Sequence, residues 1–263
     1  MRSSKSGNRR AREALLEGIG VPERLDSFTP DAFQQQAIDS LSEKKDTLVI
    51  APTGAGKTFI AIEGIRHILE RGERAIYTAP LKALSNTKFV EFQRTFEPSH
   101  KVGLMTGDRK IETHSDIVVA TTEIYRNDLY NYGESYSLVV LDELHYMADP
   151  QRGPVWEESI ILAPNSATLL MLSASVSNAD EIAAWIEEIR GKAVTVIIET
   201  ERPVELRLGF LHPEQGVLPL ADEKGEVFEE VEKFYRESTR QPPGYGRFVG
   251  RRGKGSGKSR RRR

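Results

Sequence analysis

Seven short apolar runs recur between residues 46 and 198, with helical stretches between most of them. They are DTLVI (46–50), RAIYTA (74–79), VGLM (102–105), DIVVAT (116–121), SLVVLDE (137–143), TLLMLS (168–173) and AVTVII (193–198). None alternates strictly between apolar and polar residues, so a sheet built from them is expected to be covered on both faces. Residues 31–44, 57–71, 81–96, 122–131, 155–163 and 178–190 carry helical patterning. Strands and helices in this alternation predict an α/β fold, a mainly parallel sheet with helices on both faces. Ligands of such sheets bind beyond the C-terminal ends of the strands, so the chemistry should lie where the runs stop.

A chain of 263 residues that is 38% hydrophobic builds one sizeable domain or two small ones. It has no apolar run long enough to predict a transmembrane helix. The basic start MRSSKSGNRR is not followed by the apolar stretch of a secretory signal. Without cysteine there is neither a disulfide nor a thiolate metal site, which suits a cytoplasmic location. The five histidines are scattered, with no close pair on a helix, and this argues against zinc.

The formal net charge of −2 conceals a division. Residues 2–12 carry five Lys/Arg and residues 240–263 carry ten, with no acid in either, so all 39 acidic residues fall in the body. The expected organisation is a basic N-terminal extension (1–25), a main domain (26–212), an exit segment (213–240) and a basic Gly/Arg-rich tail or linker (241–263). VELRLGFLH (204–212) reads as one more strand and 222–237 as a final charged helix. The basic ends suit nucleic-acid phosphates, and they equally suit solvated, disordered segments.

APTGAGKT (51–58) directly follows the first apolar run and precedes a helix. Glycines let backbone N–H groups turn into one concavity, and the helix that starts there points its positive end at an anion. Ala51, Pro52, Thr53, Gly54, Ala55, Gly56, Lys57 and Thr58 therefore form a candidate phosphate-binding loop. In it Lys57 reaches the β- and γ-phosphates and the Thr58 hydroxyl binds Mg²⁺. The general pattern opens on glycine, where this chain has Ala51. SLVVLDE ends in two acids, Asp142 and Glu143. Such a pair is often a helix N-cap. In one sheet with the loop, Asp142 is placed to hold Mg²⁺ and Glu143 to activate water as general base.

APTGAGKT followed by DELH (142–145) resembles motifs I and II of superfamily two DExH-box helicases. APLKALSNTKF (79–89) is similar to motif Ia of that family, MTGD (105–108) and ATTEIYRN (120–127) to its Ib region, and LSAS (172–175) to its motif III. LKALSNTKF and DELHYMADPQRGPVWEE resemble the superkiller-type branch, the exosome-associated RNA helicases and their bacterial relatives. The resemblance runs over residues 28–212, with ERPVEL (201–206) similar to the strand that leaves the first domain.

The resemblance implies a RecA-like P-loop NTPase domain, the ATP-binding half of an ATP-dependent RNA helicase. ATP and Mg²⁺ are its implied cofactors, with Lys57, Asp142, Glu143 and His145 at the catalytic centre and Thr58 and Asp142 on the metal. Phe33-Gln34 followed by Ala37-Ile38 is similar to the adenine-reading element, with Gln34 on the adenine edge; the run Gln34-Gln35-Gln36 leaves the register open by one. His145 would couple the site to motif III, where Ser173 and Ser175 supply the hydroxyls; Ser175 stands in place of the usual threonine.

Pro80, Lys82, Ala83, Gly107, Thr121 and Thr122 fall in the motifs that would grip the backbone of single-stranded RNA, with DNA as the alternative polymer. Thr121 and Thr122 also read as a helix N-cap, and Lys82 as a solvated helix residue. Trp156, beside Arg152 and Gly153, reads as packing, as do Tyr125, Tyr130, Tyr132 and Tyr136, with base stacking as the alternative. A second RecA-like domain, with the arginines that stabilise the transferring phosphate, is expected outside this chain. GRFVGRRGKG (246–255) has no surrounding strands or helices and reads as a linker, while the N-terminal side reads as complete. Alternative functions are a DNA helicase of the same superfamily and a non-catalytic module that binds ATP and nucleic acid.

Overall fold

The computed structural model describes residue 15 and residues 29–131, 135–175, 178–202, 207–213, 215–222 and 225–240. Both basic ends apart from Leu15, residues 203–206 of the ERPVEL segment and Tyr132 lie outside the described residues. The chain divides into two compact units, residues 25–205 and residues 1–24 with 206–263.

The larger unit runs α1 (Ala32–Ser42), β1 (Asp46–Ile50), α2 (Lys57–Leu69), β2 (Ala75–Ala79), α3 (Lys82–Phe96), β3 (Val102–Met105), β4 (Lys110–Ile111), β5 (Ile117–Thr121), α4 (Thr122–Tyr130) and β6 (Leu138–Leu141). A 3₁₀ turn (Leu144–Ala148), α5 (Gly153–Leu162), β7 (Thr168–Ser173), α6 (Ala179–Arg190) and β8 (Val194–Ile198) complete it. The eight strands form one sheet in the order β4-β3-β5-β2-β6-β7-β1-β8. Every pairing is parallel except β3 with β4. This is the expected α/β architecture.

The lack of polar alternation has a direct cause, because consecutive residues of a strand enter two different cores. Val49, Tyr77, Val119 and Val140 pack under α1, α2 and α3 with Phe33, Ile65 and Phe92. Leu48, Ile76, Val118 and Val139 pack on the opposite face with Tyr125, Trp156 and Ile186 from α4, α5 and α6. Trp156 is 1% exposed and its ring stacks on Tyr146 at 5.7 Å, so it packs as expected. Tyr125 and Tyr136 are buried as well, whereas Tyr130 is exposed.

One buried ion pair ties the edge of this sheet to its helices. Arg190 at the end of α6 places Nε 2.6 Å from Oδ2 of Asp46, the first residue of β1. The guanidinium also donates to the carbonyls of Ala163 and Ala167, and Asp46 Oδ1 accepts from the Leu169 N–H. Each guanidinium nitrogen and each carboxylate oxygen of the pair thus has a partner, the condition under which burying two charges is tolerated.

The second unit holds an antiparallel hairpin of β9 (Gly209–His212) and β10 (Gly216–Pro219), and the helix α7 (Glu229–Arg240). Phe210 and His212 meet Phe234 of α7 at ring-centroid distances of 5.2 Å. The expected helix over 222–237 begins later, at Glu229. The Gly225 N–H donates to the Asp222 carbonyl, Gly225 has φ +82°, and Ala221 bridges Val227, so these residues are not helical. No described helix is long and apolar enough to cross a membrane.

Candidate functional site

The strand order sets two neighbouring clusters along one edge of the sheet. Register pairs Ile50 of β1 with Ser173 of β7, and Leu141 of β6 with both Met171 of β7 and Thr78 of β2. The loop after β1 and the acids after β6 therefore emerge two strands apart, with β7 between them. On the other side of β6, Ala79 of β2 is level with Thr121 of β5, and Met105 of β3 with Ala120. Pro80, Gly107, Thr121 and Thr122 thus leave the same edge.

The loop 51–58 turns sharply at two glycines, Gly54 at φ +91° and Gly56 at φ +81°. The left-handed conformation of Gly56 favours glycine there, and a Cβ would also displace the Gln34 amide that packs against it. Gln34 is 3% exposed; its Nε2 donates to the Ala55 carbonyl at 3.0 Å and its Oε1 accepts from the Asp31 N–H at 3.0 Å. It therefore braces the loop against the start of α1. One amide hydrogen remains for a further acceptor.

Lys57, the first residue of α2, folds back over the loop and donates to the carbonyls of Ala51 (2.6 Å) and Pro52 (3.1 Å). Burial lowers its pKa below the ordinary lysine value, the charges of Glu143 and then Asp142 oppose that, and Arg202 adds slightly to the lowering. The two acids are thus close enough to act on the loop lysine.

Asp142 continues the β6 ladder by one bond, its N–H donating to the Thr78 carbonyl at 3.0 Å. Its Oδ1 accepts from the Glu143 N–H at 2.9 Å and its Oδ2 from the Tyr77 hydroxyl at 2.5 Å. Tyr77 is fully buried on β2; burial, and then the charge of Asp142, holds its phenol well above the ordinary tyrosine value, so it remains a donor. Glu143 sits in the left-handed region, φ +56°, which swings its carboxylate out of the strand direction. Its Oε2 is 3.3 Å from His145 Nδ1, close enough for an ion pair with a protonated imidazole but not aligned for a hydrogen bond. His145 and Ser175 share one groove of about 750 Å³ with Pro52 and Glu199. Ser173 is buried, its hydroxyl donating to the Ser175 carbonyl at 3.3 Å, and Ser175 is exposed.

The strand-gripping candidates divide by exposure. Lys82 and Ala83 at the start of α3 are exposed, as is Gly107, and Pro80 is half-buried. Lys82 Nζ lies 3.1 Å from Asp108 Oδ1, and Gly107 is a near neighbour of the same lysine. Thr121 and Thr122 are 5% and 0% exposed. Thr121 is the N-cap residue of α4, yet its side chain makes no cap bond. The side chains of these two threonines are therefore not part of the open surface; what they offer there is backbone N–H at a helix start.

Sequence reasoning missed Tyr77 and Lys88. Lys88 of α3 donates to Thr58 Oγ1 at 2.8 Å and to Glu91 Oε2 at 3.0 Å. A tyrosine inside a short, mainly apolar strand was the available signal, since a buried phenol needs a partner.

Residues 31–182 match the DEAD/DEAH box helicase family. The chain is 44% identical over 225 residues to the DExH-box ATP-dependent RNA helicase DExH15 chloroplastic of Arabidopsis thaliana, covering 81% of this chain and 19% of that one. It is 42% identical over 183 residues to Superkiller complex protein 2 of Mus musculus, covering 68% of this chain and 14% of that one. It spans about a fifth or less of either relative. Among solved structures, that of the DUF1998 helicase MrfA bound to DNA aligns at a TM-score of 0.55 and 18% identity, over 72% of this chain and 29% of that one, which is a likeness of fold. By the match over 31–182, carried on the sheet and loop described above, this chain belongs to the DEAD/DEAH box helicase family.

Proposed function

We propose that this chain is the ATP-binding half of an ATP-dependent, superkiller-type RNA helicase, hydrolysing ATP at loop 51–58 in response to single-stranded RNA. The observation that carries the reading is the register by which the loop bearing Lys57 and the acids Asp142 and Glu143 leave the same edge of the sheet two strands apart. The names of the relatives support RNA as the polymer.

The backbone of the loop and the start of α2 receive the phosphates, and Lys57 exchanges its two loop carbonyls for phosphate oxygens. Gln34 holds the loop from behind and has one amide hydrogen to offer the adenine. Glu143, turned outward by its backbone, takes a proton from the attacking water. His145 carries the state of Glu143 into the groove it shares with Ser175, and Ser173 fixes the Ser175 backbone. Pro80, Lys82, Ala83 and Gly107 contact the RNA backbone, joined by the N–H groups of Thr121 and Thr122 at the start of α4. A second RecA-like domain closes over the groove and supplies arginine, worth ~10³–10⁵ in rate in related chemistries. A cytoplasmic location belongs to the same reading, on the absence of cysteine.

The donor set fits Mg²⁺. Thr58 and Asp142 offer a hydroxyl and a carboxylate, both hard oxygens, and among the described residues no group of three or more His, Cys, Asp or Glu could hold a metal alone. Magnesium suits such a sparse site because it keeps waters and takes substrate phosphates as further ligands. Held there, it would neutralise charge developing on the β- and γ-phosphates.

Steady-state ATP hydrolysis by the whole chain, with and without single-stranded RNA, tests the assignment. Glu143→Gln should abolish turnover while ATP still binds. Wild-type turnover in that variant would remove Glu143 from the mechanism.

A further inference from the structure

The Thr58 hydroxyl and the Asp142 carboxylate are each held by a side chain that the ATP site does not otherwise use. Lys88 Nζ donates to Thr58 Oγ1 at 2.8 Å, and its side chain is 19% exposed. The Tyr77 hydroxyl donates to Asp142 Oδ2 at 2.5 Å. The two holders are themselves joined. The Lys88 ammonium stands 6.0 Å from the centre of the Tyr77 ring, and Phe92, one turn further along α3, packs edge-on against the same ring at 5.1 Å. Glu91 takes a second Lys88 hydrogen at 3.0 Å and fixes the direction of the ammonium. Two oxygens 84 residues apart in sequence are thereby set by one packed unit of β2 and α3.

Each contact leaves the oxygen it touches able to bind something else. A hydroxyl oxygen has two lone pairs and a carboxylate oxygen likewise, so one lone pair of Thr58 Oγ1 and one of Asp142 Oδ2 stay free. A hard cation that tolerates little departure from octahedral geometry gains from ligands whose direction is fixed beforehand.

We propose that Lys88 and Tyr77 are positioning residues that aim Thr58 and Asp142 at the metal of the nucleotide. The proposal rests on loop 51–58 being the nucleotide site. Neither residue is assigned a contact with nucleotide; each acts on an oxygen that would face the metal. The expected signature is a weaker response to metal with no change in how the nucleotide itself is held.

The test is the affinity of the full chain for a fluorescent ATP analogue, titrated with Mg²⁺ and repeated in EDTA. Lys88→Met removes the donor and keeps an unbranched side chain; Tyr77→Phe removes one oxygen and keeps the ring against Phe92. Each should raise the Mg²⁺ concentration for half-maximal strengthening of binding by roughly ten- to a hundredfold, the range by which loss of a partner behind a metal ligand weakens metal binding. Affinity in EDTA should match wild type, and so should the circular dichroism spectrum. An unchanged Mg²⁺ midpoint in both variants overturns the proposal, as does an equal loss of affinity with and without metal, which would mark a general structural role. Lys57→Ala is run beside them. If it leaves nucleotide affinity intact, the nucleotide site itself is misplaced; if it weakens binding while the other two leave the Mg²⁺ midpoint unmoved, only the positioning claim fails.

Discussion

Glu143 holds its backbone at φ +56° and ψ +47°, and from there its Oε2 comes to 3.3 Å from Nδ1 of His145. A residue with a Cβ is strained in the left-handed region by ~1–2 kcal/mol, so the direction of this carboxylate is maintained against a local cost. Comparing Glu143→Ala with Glu143→Gly isolates that cost, because both remove the carboxylate and only glycine relieves the strain. Glu143→Gly should be the more stable by about 1 kcal/mol in urea unfolding. Equal stability, or a more stable alanine variant, would mean that the backbone is not strained here.

The fully buried pair Arg190–Asp46 predicts a large and asymmetric response. Arg190→Met leaves Asp46 charged and without its partner, and should cost about 3–5 kcal/mol in urea unfolding. Replacing both, with Asp46→Leu added, should recover part of that loss, because no unpaired charge then remains. A single-variant loss below about 1 kcal/mol would show that water reaches the site.

Tyr125 is 1% exposed and its hydroxyl lacks a hydrogen-bond partner among the described residues. Burial raises its pKa above the ordinary tyrosine value. The sign follows from linkage: the unfolded chain gives up this proton first, so the stability is fully present below the unfolded pKa of about 10 and declines as pH rises through it. Tyr125→Phe should match or slightly exceed wild type at neutral pH, since a buried unsatisfied hydroxyl carries a penalty of ~1 kcal/mol or more. It should also lose less stability than wild type at alkaline pH. A clear loss at neutral pH would mean that the hydroxyl has a partner.

Lys82 is paired with Asp108 at 3.1 Å on the proposed RNA surface. Lys82→Ala should weaken binding of single-stranded RNA and lower the salt dependence by about one unit of log–log slope. Asp108→Asn should tighten binding, because it removes a competitor for the ammonium. If both variants bind like wild type, this corner of α3 does not meet the strand.

Six of the seven strands read from the sequence were legible because every residue in them is buried, and mainly apolar runs survive that; β8, at the sheet's edge, is only partly buried. The loop was legible because Gly54 and Gly56 occupy backbone conformations that other residues avoid. What could not be read depends on strand order. Tyr77 meets Asp142 across 65 residues only because β2 and β6 are neighbours, and nothing periodic in either segment says so. The burial of Thr122 and the reach of Lys88 to Thr58 have the same origin. The late start of α7 has a local cause instead: the Asp222–Gly225 turn overrides a charged stretch with good helical composition.

Equilibrium binding of ATP with Mg²⁺ by wild type and Lys57→Ala tests most directly whether loop 51–58 receives the phosphates of ATP. Lys57 is the cation that stands over the loop, donating to its own carbonyls. The variant should bind at least tenfold more weakly, the equivalent of about 1.4 kcal/mol. Equal affinity in the two proteins would contradict it.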